Sequence, residues 1–230
     1  MYRKNGDAQM REIFIHIGLH RTGSTFLQEK IFSNIPLSAF VRGHDYICSF
    51  MINADIPSDG KIVISYEGLT GHNYLDNSEA SPFEMADRIK KLWSDAKIIL
   101  VLREKDDWRR SLYRQYVNRL SKFMREPILS EQEWTEKIFR KRDFSFDDFV
   151  DYLNGLFDEI LVLHYEDLRD NPHKFIKDIC DFIGVPSPNF SNERINVGLS
   201  KRKMRAIRWL SRRSWSSPVK ILLSEIIKNV

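Results

Sequence analysis

The 230-residue sequence contains few of the features that mark specialised protein classes. Its two cysteines, Cys48 and Cys180, are too few and too far apart to indicate a disulfide framework or a cysteine-based metal cluster. We therefore expect two buried thiols in a reducing compartment. The sequence also lacks an apolar run long enough for a signal peptide or a membrane span. These absences predict a cytoplasmic protein without a membrane span.

A strong excess of one charge is also missing, since 36 Lys and Arg residues against 32 Asp and Glu residues give a formal net charge of +4. This bias is too mild to predict nucleic-acid binding. With 42% hydrophobic and 30% charged residues, the composition is that of an ordinary globular protein. The length suits a single core covered by helices, and we predict one domain over residues 1–230.

The positive charge is concentrated near the C-terminus, where seven of the thirteen residues in 201–213 are basic. Two helices are predicted there, over 201–212 and 218–228, so that residues 200–230 form a helical, basic segment. A solvated helix face would explain the charges, and binding of an anionic ligand is the alternative. The buried side of the first helix is predicted to consist of Met204, Ile207, Trp209 and Leu210.

Short apolar runs typical of strands in a parallel sheet alternate with helical patterns along the rest of the chain. The strand-like runs are 13–18, 61–66, 97–103 and 159–164. The helical patterns are 24–32, 83–93, 106–122, 131–140, 146–156 and 172–183. This alternation predicts an α/β fold of the P-loop nucleotide-kinase type, a three-layer sandwich in which helices flank a central, mainly parallel β-sheet.

The loop after the first strand resembles a nucleotide phosphate loop without its lysine. Gly18, Gly23 and Thr25 fit the frame G-x-x-x-x-G-K-[ST], but Ser24 occupies the lysine position. Positive charge instead precedes the second glycine, at Arg21. Because the loop joins a strand to a helix, it lies at the edge where open α/β sheets bind ligands. The sequence therefore predicts a phosphate site here.

A second signal follows the strand-like run 97–103, which ends in Arg103. Ser111 lies eight residues later, in the next predicted helix. An arginine at the end of a strand and a hydroxyl one to two turns into the next helix can converge on one phosphate at the carboxyl edge of the sheet.

The segment GLHRTGSTFLQ resembles the 5′-phosphosulfate loop of sulfotransferases, which use 3′-phosphoadenosine 5′-phosphosulfate (PAPS). In that family the loop reads Lys or Arg, Ser or Thr, Gly, Thr or Ser, Thr, and runs into a helix with an apolar residue and often Leu-Gln. Residues 21–28 match this pattern position by position. In residues 160–185, the run from Tyr165 to Leu168 is similar to the Tyr-Glu-Asp-Leu that follows a strand in the family.

The resemblance implies an enzyme that moves a sulfuryl group from PAPS to a hydroxyl or amine of an acceptor, releasing adenosine 3′,5′-bisphosphate. No metal is expected, because Arg21 and loop N–H donors would stabilise the charge that develops on the leaving phosphate. The implied donor-binding residues are Arg21, Thr22, Gly23, Ser24, Thr25, Phe26, Arg103, Ser111, Lys201 and Arg202. The Arg-Lys-Gly ending that is usual in the family is absent from this sequence, which has Lys201 and Arg202 in the C-terminal basic segment.

The acceptor also needs a group that takes its proton. Glu67 is the candidate, because it follows the strand-like run 61–66 and so lies at the same sheet edge as the loop. Carbohydrate-type members of the family use a glutamate, whereas small-molecule members use a histidine. His20 and His72 are therefore the rival bases. The predicted catalytic set is Glu67, Arg21 and His20.

The expected acceptor is a small molecule or carbohydrate, and a carbohydrate or glycosylated metabolite fits a glutamate base best. No motif marks its pocket, and the oligomeric state is open. Two alternatives remain: a P-loop phosphotransferase of the kinase type, against which the missing lysine argues, and a non-catalytic nucleotide-binding protein.

Overall fold

The computed structural model describes residues 11–43, 57, 59–71, 80–191 and 198–229. These residues form two compact units. The first contains the described residues up to Glu104 together with 144–191, and the second contains 105–143 and 198–229. The single domain over residues 1–230 stays a prediction.

A five-stranded parallel sheet forms the centre of the first unit, in the order β2-β3-β1-β4-β5. Its strands are β1 (Glu12–Gly18), β2 (Ala39–Arg42), β3 (Lys61–Ser65), β4 (Lys97–Leu102) and β5 (Ile160–His164). The four predicted strands agree with the observed ones to within one residue at each end. The edge strand β2 was missed, because a four-residue, partly exposed strand leaves little apolar pattern. The predicted α/β fold with a parallel central sheet is confirmed.

Nine α-helices are described, and two of them continue in a different helical geometry. They are α1 (Ser24–Phe26), α2 (Pro82–Leu92), α3 (Lys105–Leu120), α4 (Glu131–Trp134), α5 (Phe146–Leu156), α6 (Tyr165–Asp170), α7 (Pro172–Ile183), α8 (Lys201–Ser211) and α9 (Ser217–Asn229). The chain continues from α1 as a π-helix (Leu27–Phe32), and from α4 as a π-helix (Thr135–Phe139) and a 3₁₀ turn (Arg140–Arg142). A further 3₁₀ turn, Glu67–Thr70, follows β3. No described helix has the length and apolar character that crossing a membrane requires.

Helix α7 shows how the sequence builds the core of the first unit. The Asn171 side chain caps its first turn by accepting from the Lys174 N–H (3.2 Å), Pro172 fits the first helical position, and Gly184 ends the helix at φ 74°. The apolar face of α7 packs into one cluster with the π-helix that follows α1 and with one face of the sheet. The members of this cluster include Phe14, Leu27, Ile31, Val63, Ile99, Phe175, Ile176, Ile179 and Ile183.

The register of the sheet aligns the carboxyl ends of three strands, β1, β3 and β4, at one edge. His16 of β1 pairs with Ser65 of β3, and Gly18 of β1 pairs with Val101 of β4. The chain therefore leaves β1, β3 and β4 at nearly the same level. The loop after Gly18, Glu67 and Arg103 all emerge there, as the sequence predicts for a ligand-binding edge.

The second unit is helical and has an aromatic core. Trp134 packs against Tyr113 and Phe139, each at a centroid distance of 5.6 Å, and Trp108 packs against Phe139 at 5.7 Å. The Ser211 hydroxyl at the end of α8 accepts from the backbone N–H of Ile128 (3.0 Å). The aromatic contacts join α3 to α4 and its continuation, and the Ser211 contact ties the end of α8 to the segment between α3 and α4.

The predicted buried face of α8 is correct for Met204, Ile207 and Leu210. It is wrong for Trp209, which is exposed. Trp209 follows Ile207 by two residues, which places it about 200° around the helix, on the opposite face. Cys180 is buried, as predicted, and Cys48 lies outside the described residues.

The apolar face of α7 should control the stability of the first unit. Replacing Ile179, which is fully buried, with Ala removes core contacts and leaves a cavity. We expect I179A to lower the free energy of unfolding by about 2–5 kcal/mol, measured by chemical denaturation. L92A, at an exposed position on α2, is the control and should change it by less than about 0.5 kcal/mol. An equally small effect of I179A would contradict this account of the core.

Candidate active site

The loop between β1 and α1 depends on two residues in the left-handed backbone region. Arg21 has φ 69° and Gly23 has φ 89°. Glycine adopts such an angle readily, but arginine does so at a cost of about 1 kcal/mol or more. When right-handed and left-handed backbone conformations alternate in this way, successive N–H groups point toward one position. Such a concave group of N–H donors can bind an anion. The loop geometry therefore agrees with the predicted phosphate site.

Close packing also requires glycine at positions 18 and 23, because a side chain there would overlap with neighbouring atoms. A Cβ atom on Gly18 would lie 2.3 Å from Ser24 Oγ, and one on Gly23 would lie 2.8 Å from Leu168 Cδ2. The Tyr165 ring lies 3.5 Å from the same position on Gly23. Helix α6, which carries Tyr165 and Leu168, thus packs directly on the loop. The Tyr-Glu-Asp-Leu run is part of the structure that supports the loop.

The loop hydroxyls differ in what they contact. Thr22 is buried, and its Oγ1 donates to the Leu19 carbonyl (2.6 Å), so it stabilises the turn itself. Ser24 is also buried, but its hydroxyl has no hydrogen-bond partner among the described residues. A buried hydroxyl without a partner at the start of a helix suits a ligand oxygen. Thr25 is partly buried, and Phe26 packs edge-to-face on Phe190 (5.9 Å).

Arg103 contacts the main chain of the loop. Its Nη1 donates to the Arg21 carbonyl at 2.9 Å, and its guanidinium lies 4.4 Å from the centroid of the Tyr165 ring. The next residue, Glu104, donates its backbone N–H to Glu166 Oε1 (3.2 Å). The end of β4 is therefore joined both to the phosphate loop and to α6. Sequence reasoning assigned Arg103 to a ligand phosphate and did not foresee its contact with the loop.

Glu67 and His20 form a pair at the edge of the sheet. His20 Nδ1 lies 3.0 Å from Glu67 Oε2, and because an ionised carboxylate only accepts, the imidazole N–H is the donor. Burial raises the pKa of Glu67, but the hydrogen bond from His20 and the attraction to that ring outweigh it and hold the pKa below its usual value. Ser24 acts on the pKa in the same direction, although its hydroxyl does not reach hydrogen-bond geometry. Glu67 is therefore a carboxylate at neutral pH.

A buried polar cluster that the sequence analysis missed lies beside this pair. His16 of β1 is fully buried, and its Nδ1 lies 2.7 Å from Ser65 Oγ of β3. Gln28 Nε2 donates to the same oxygen at 3.0 Å, which leaves the Ser65 O–H available for His16. Burial lowers the pKa of His16 to about 4, and the nearby Glu67 opposes this shift. His16 is therefore neutral at physiological pH.

The remaining predicted site residues lie elsewhere in the chain. Ser111 is buried on α3 of the second unit. Lys201 and Arg202 are exposed in the first turn of α8, whose N-cap Ser200 accepts from the Lys203 N–H (3.3 Å). His72 lies outside the described residues. The roles assigned to these four residues stay predictions.

Within the described part of the chain, no group of three or more His, Cys, Asp or Glu side chains is arranged to hold a metal ion. The expectation of a metal-independent site stays a prediction.

A family profile described as "Sulfotransferase domain" matches residues 11–218, which is most of the chain. The chain belongs to the sulfotransferase family. This match confirms the family resemblance inferred from the phosphosulfate-type loop. A search of curated proteins found no match to this sulfotransferase.

The solved structures found by comparison include two sulfotransferases. A sulfotransferase from Alicyclobacillus acidocaldarius is 14% identical, with a TM-score of 0.54, and the alignment covers 94% of this chain and 96% of that one. A mouse sulfotransferase complexed with PAP is 20% identical, with a TM-score of 0.49, over 92% of this chain and 70% of that one. The bacterial structure supports the predicted fold.

The sulfotransferase should lose stability in acid because of His16. Since burial lowers the pKa of His16 from 6.5 to about 4, the unfolded chain binds a proton more readily than the folded chain between these values. The free energy of unfolding therefore has its full value with respect to His16 above pH 6.5. It decreases by about 3 kcal/mol as the pH falls toward 4. Denaturation across this range should give a shallower pH dependence for H16Q than for the wild type. A histidine NMR titration that placed the His16 midpoint near 6.5 would contradict this.

Proposed function

We propose that this sulfotransferase transfers the sulfuryl group of PAPS to a hydroxyl or amine of an acceptor. PAPS is the donor general to the family, and it supplies an activated sulfuryl group with adenosine 3′,5′-bisphosphate as the leaving group. A carbohydrate or glycosylated metabolite is the acceptor class that we propose. The observation that carries the proposal is the loop at Gly18–Ser24, which combines turned N–H groups, a buried hydroxyl without a described partner and a nearby carboxylate.

The residues of the loop fit an anionic phosphosulfate group. The N–H groups at the start of α1 have no partner within the helix, and the helix dipole there favours negative charge. The Ser24 hydroxyl is buried beside them and can donate to an oxygen. Arg21 brings the positive charge that the missing lysine would otherwise supply. In our proposal, Arg21 stabilises the charge that develops on the leaving 5′-phosphate.

Arg103 is proposed to have two roles. The family pattern assigns Arg103 to the 3′-phosphate of the donor. Its contact with the Arg21 carbonyl adds support of the loop main chain. A guanidinium carries five N–H donors in a fixed plane, so it can contact a carbonyl and a phosphate at the same time. Occupation of the 3′-phosphate site would then be linked to the geometry of the loop.

Glu67 is the proposed general base. It is ionised at neutral pH, it is only partly buried, and the hydrogen bond from His20 fixes one of its oxygens. The other oxygen can take the proton from the acceptor hydroxyl as that group attacks. His20 is then a positioning residue for Glu67. The reverse arrangement, with His20 as base and Glu67 orienting it, is the rival that the variants below distinguish.

The family match favours this function over the two alternatives, a kinase-type phosphotransferase and a non-catalytic binding protein. Ser24 in the lysine position also disfavours a kinase, because kinases use that cation on the transferred phosphate. A cytoplasmic location stays a prediction.

A binding comparison tests the proposed donor. In isothermal calorimetry we expect tight binding of adenosine 3′,5′-bisphosphate without a metal, and weak or no binding of ATP with magnesium. R103A should weaken binding of the bisphosphate by about 1.5–3 kcal/mol, the scale of a charge-assisted contact. R88A, which removes an exposed arginine on α2, is the matched control and should bind normally. Preference for ATP with a magnesium requirement would refute the proposed function.

The base is tested by turnover. E67Q keeps the size of the side chain but removes its ability to accept a proton, so kcat should fall about 100-fold or more. Affinity for adenosine 3′,5′-bisphosphate should remain close to that of the wild type, which separates a catalytic effect from a binding effect. H20A, which removes the imidazole that donates to Glu67, should retain more activity than E67Q. Full activity of E67Q would transfer the role to His20 or His72.

A further inference from the structure

Helix α9 buries polar side chains and exposes apolar ones, which is the reverse of an ordinary surface helix. Lys220 and Ser224 are buried, although both side chains are polar. Lys220 Nζ donates to the carbonyls of Arg213 (3.2 Å) and Ser211 (3.5 Å), near the end of α8. Ser224 Oγ lies 3.1 Å from the Ser121 carbonyl. The inner face of α9 is thus held by polar contacts, whereas a solvated surface helix normally directs such residues outward.

The outer face of α9 is apolar. Val219, Leu222 and Ile226 follow the spacing i, i+3, i+7, so they share one side of the helix. Trp215 precedes the helix and packs edge-to-face on Trp209 of α8, with ring centroids 6.4 Å apart. We call these five side chains the apolar ridge. Each of them is between 46% and 64% exposed.

The apolar ridge is not an ordinary scatter of surface residues. Among the described residues, seven large apolar side chains are exposed, and five of them belong to the ridge. The other two, Leu92 and Phe123, lie on other segments. Clusters of exposed apolar side chains mark interaction sites, whereas single ones need no explanation.

Positive charge surrounds the apolar ridge. Residues 200–230 contain nine basic residues and one acidic residue, Glu225. Exposed arginines include Arg205 on α8 and Arg212 and Arg213 after it, and the Arg213 guanidinium lies 4.0 Å from the centroid of the Trp209 ring. The surface therefore offers apolar area, tryptophan and cationic groups together, all within the second unit.

We propose that α8 and α9 bind the surface of an anionic phospholipid bilayer. Leucine, isoleucine and valine would enter the boundary between headgroups and acyl chains, and the two tryptophans suit the same interfacial depth. The surrounding arginines would be attracted to the lipid phosphates. In this proposal the two helices lie on the membrane surface.

A second copy of the chain fits this surface less well. A symmetric dimer through the apolar ridge would place the same exposed arginines, Arg205, Arg212 and Arg213, on both partners. Like charges facing each other oppose association, whereas an anionic lipid surface neutralises them. This inference does not rest on the proposed function, because the apolar ridge and the exposed residues Arg205, Arg212 and Arg213 include no residue that we place at the donor or at the base.

Vesicle sedimentation with the full chain tests the proposal. We expect the protein to sediment with phosphatidylglycerol–phosphatidylcholine vesicles, to stay in solution with pure phosphatidylcholine, and to dissociate as salt is raised. Binding should shift tryptophan emission to shorter wavelength, because Trp209 and Trp215 would leave water. The variant L222S/I226S, and separately R205E, should each lower the partition coefficient about tenfold or more.

Matched controls are F123S and R125E, which change exposed residues of the same unit outside the apolar ridge. Both should partition like the wild type, and circular dichroism should give the same helix content for every variant. Absence of binding to anionic vesicles, or unchanged partitioning of L222S/I226S, would overturn the proposal. Self-association in multi-angle light scattering that L222S/I226S abolishes, without vesicle binding by the wild type, would assign the face to a second copy instead.

Discussion

The backbone turn between Gly18 and Ser24 is the constraint on which the site depends. Its left-handed angle at Arg21 is unfavourable by itself, so the surrounding structure must hold it. Two contacts do so from different elements. Arg103 at the end of β4 donates to the Arg21 carbonyl, and α6 places Tyr165 and Leu168 against Gly23. The phosphate loop is thus positioned by the central strand, its neighbour and a helix that arrives late in the chain.

This arrangement explains how a loop without the usual lysine can still suit an anion. The attraction comes from N–H groups, the start of a helix and Arg21, while the Ser24 hydroxyl remains buried and available. Glu67 leaves the neighbouring strand at the same edge and accepts a hydrogen bond from His20, with the neutral His16–Ser65–Gln28 cluster beside it. The proposed base and the proposed anion site thus lie at one sheet edge, which is the combination that sulfuryl transfer to a hydroxyl requires.

The fold followed from the sequence where local pattern decides the structure. Apolar runs of six or seven residues identified four strands, and glycine spacing identified the loop. Strand β2 was missed because its four residues give a weak pattern. The His16–Ser65 pair was missed for a different reason: the two residues meet through the register of neighbouring strands, which depends on the whole sheet. The contact of the Arg103 side chain with the Arg21 carbonyl could not be predicted, because every residue has a main-chain carbonyl whatever its type. Trp209 was assigned to the buried face of α8 because it is apolar. Its position two residues after Ile207 instead places it on the exposed face of the helix.

The central claim is that the Gly18–Ser24 turn holds the 5′-phosphate end of a sulfated adenylate donor. A crystal structure of the protein with adenosine 3′,5′-bisphosphate measures this directly. We predict that the 5′-phosphate oxygens will lie within hydrogen-bonding distance of Ser24 Oγ and the loop N–H groups, with the 3′-phosphate on Arg103. A loop without nucleotide in a crystal that contains it elsewhere, or a ribose phosphate directed away from Arg103, would contradict the account.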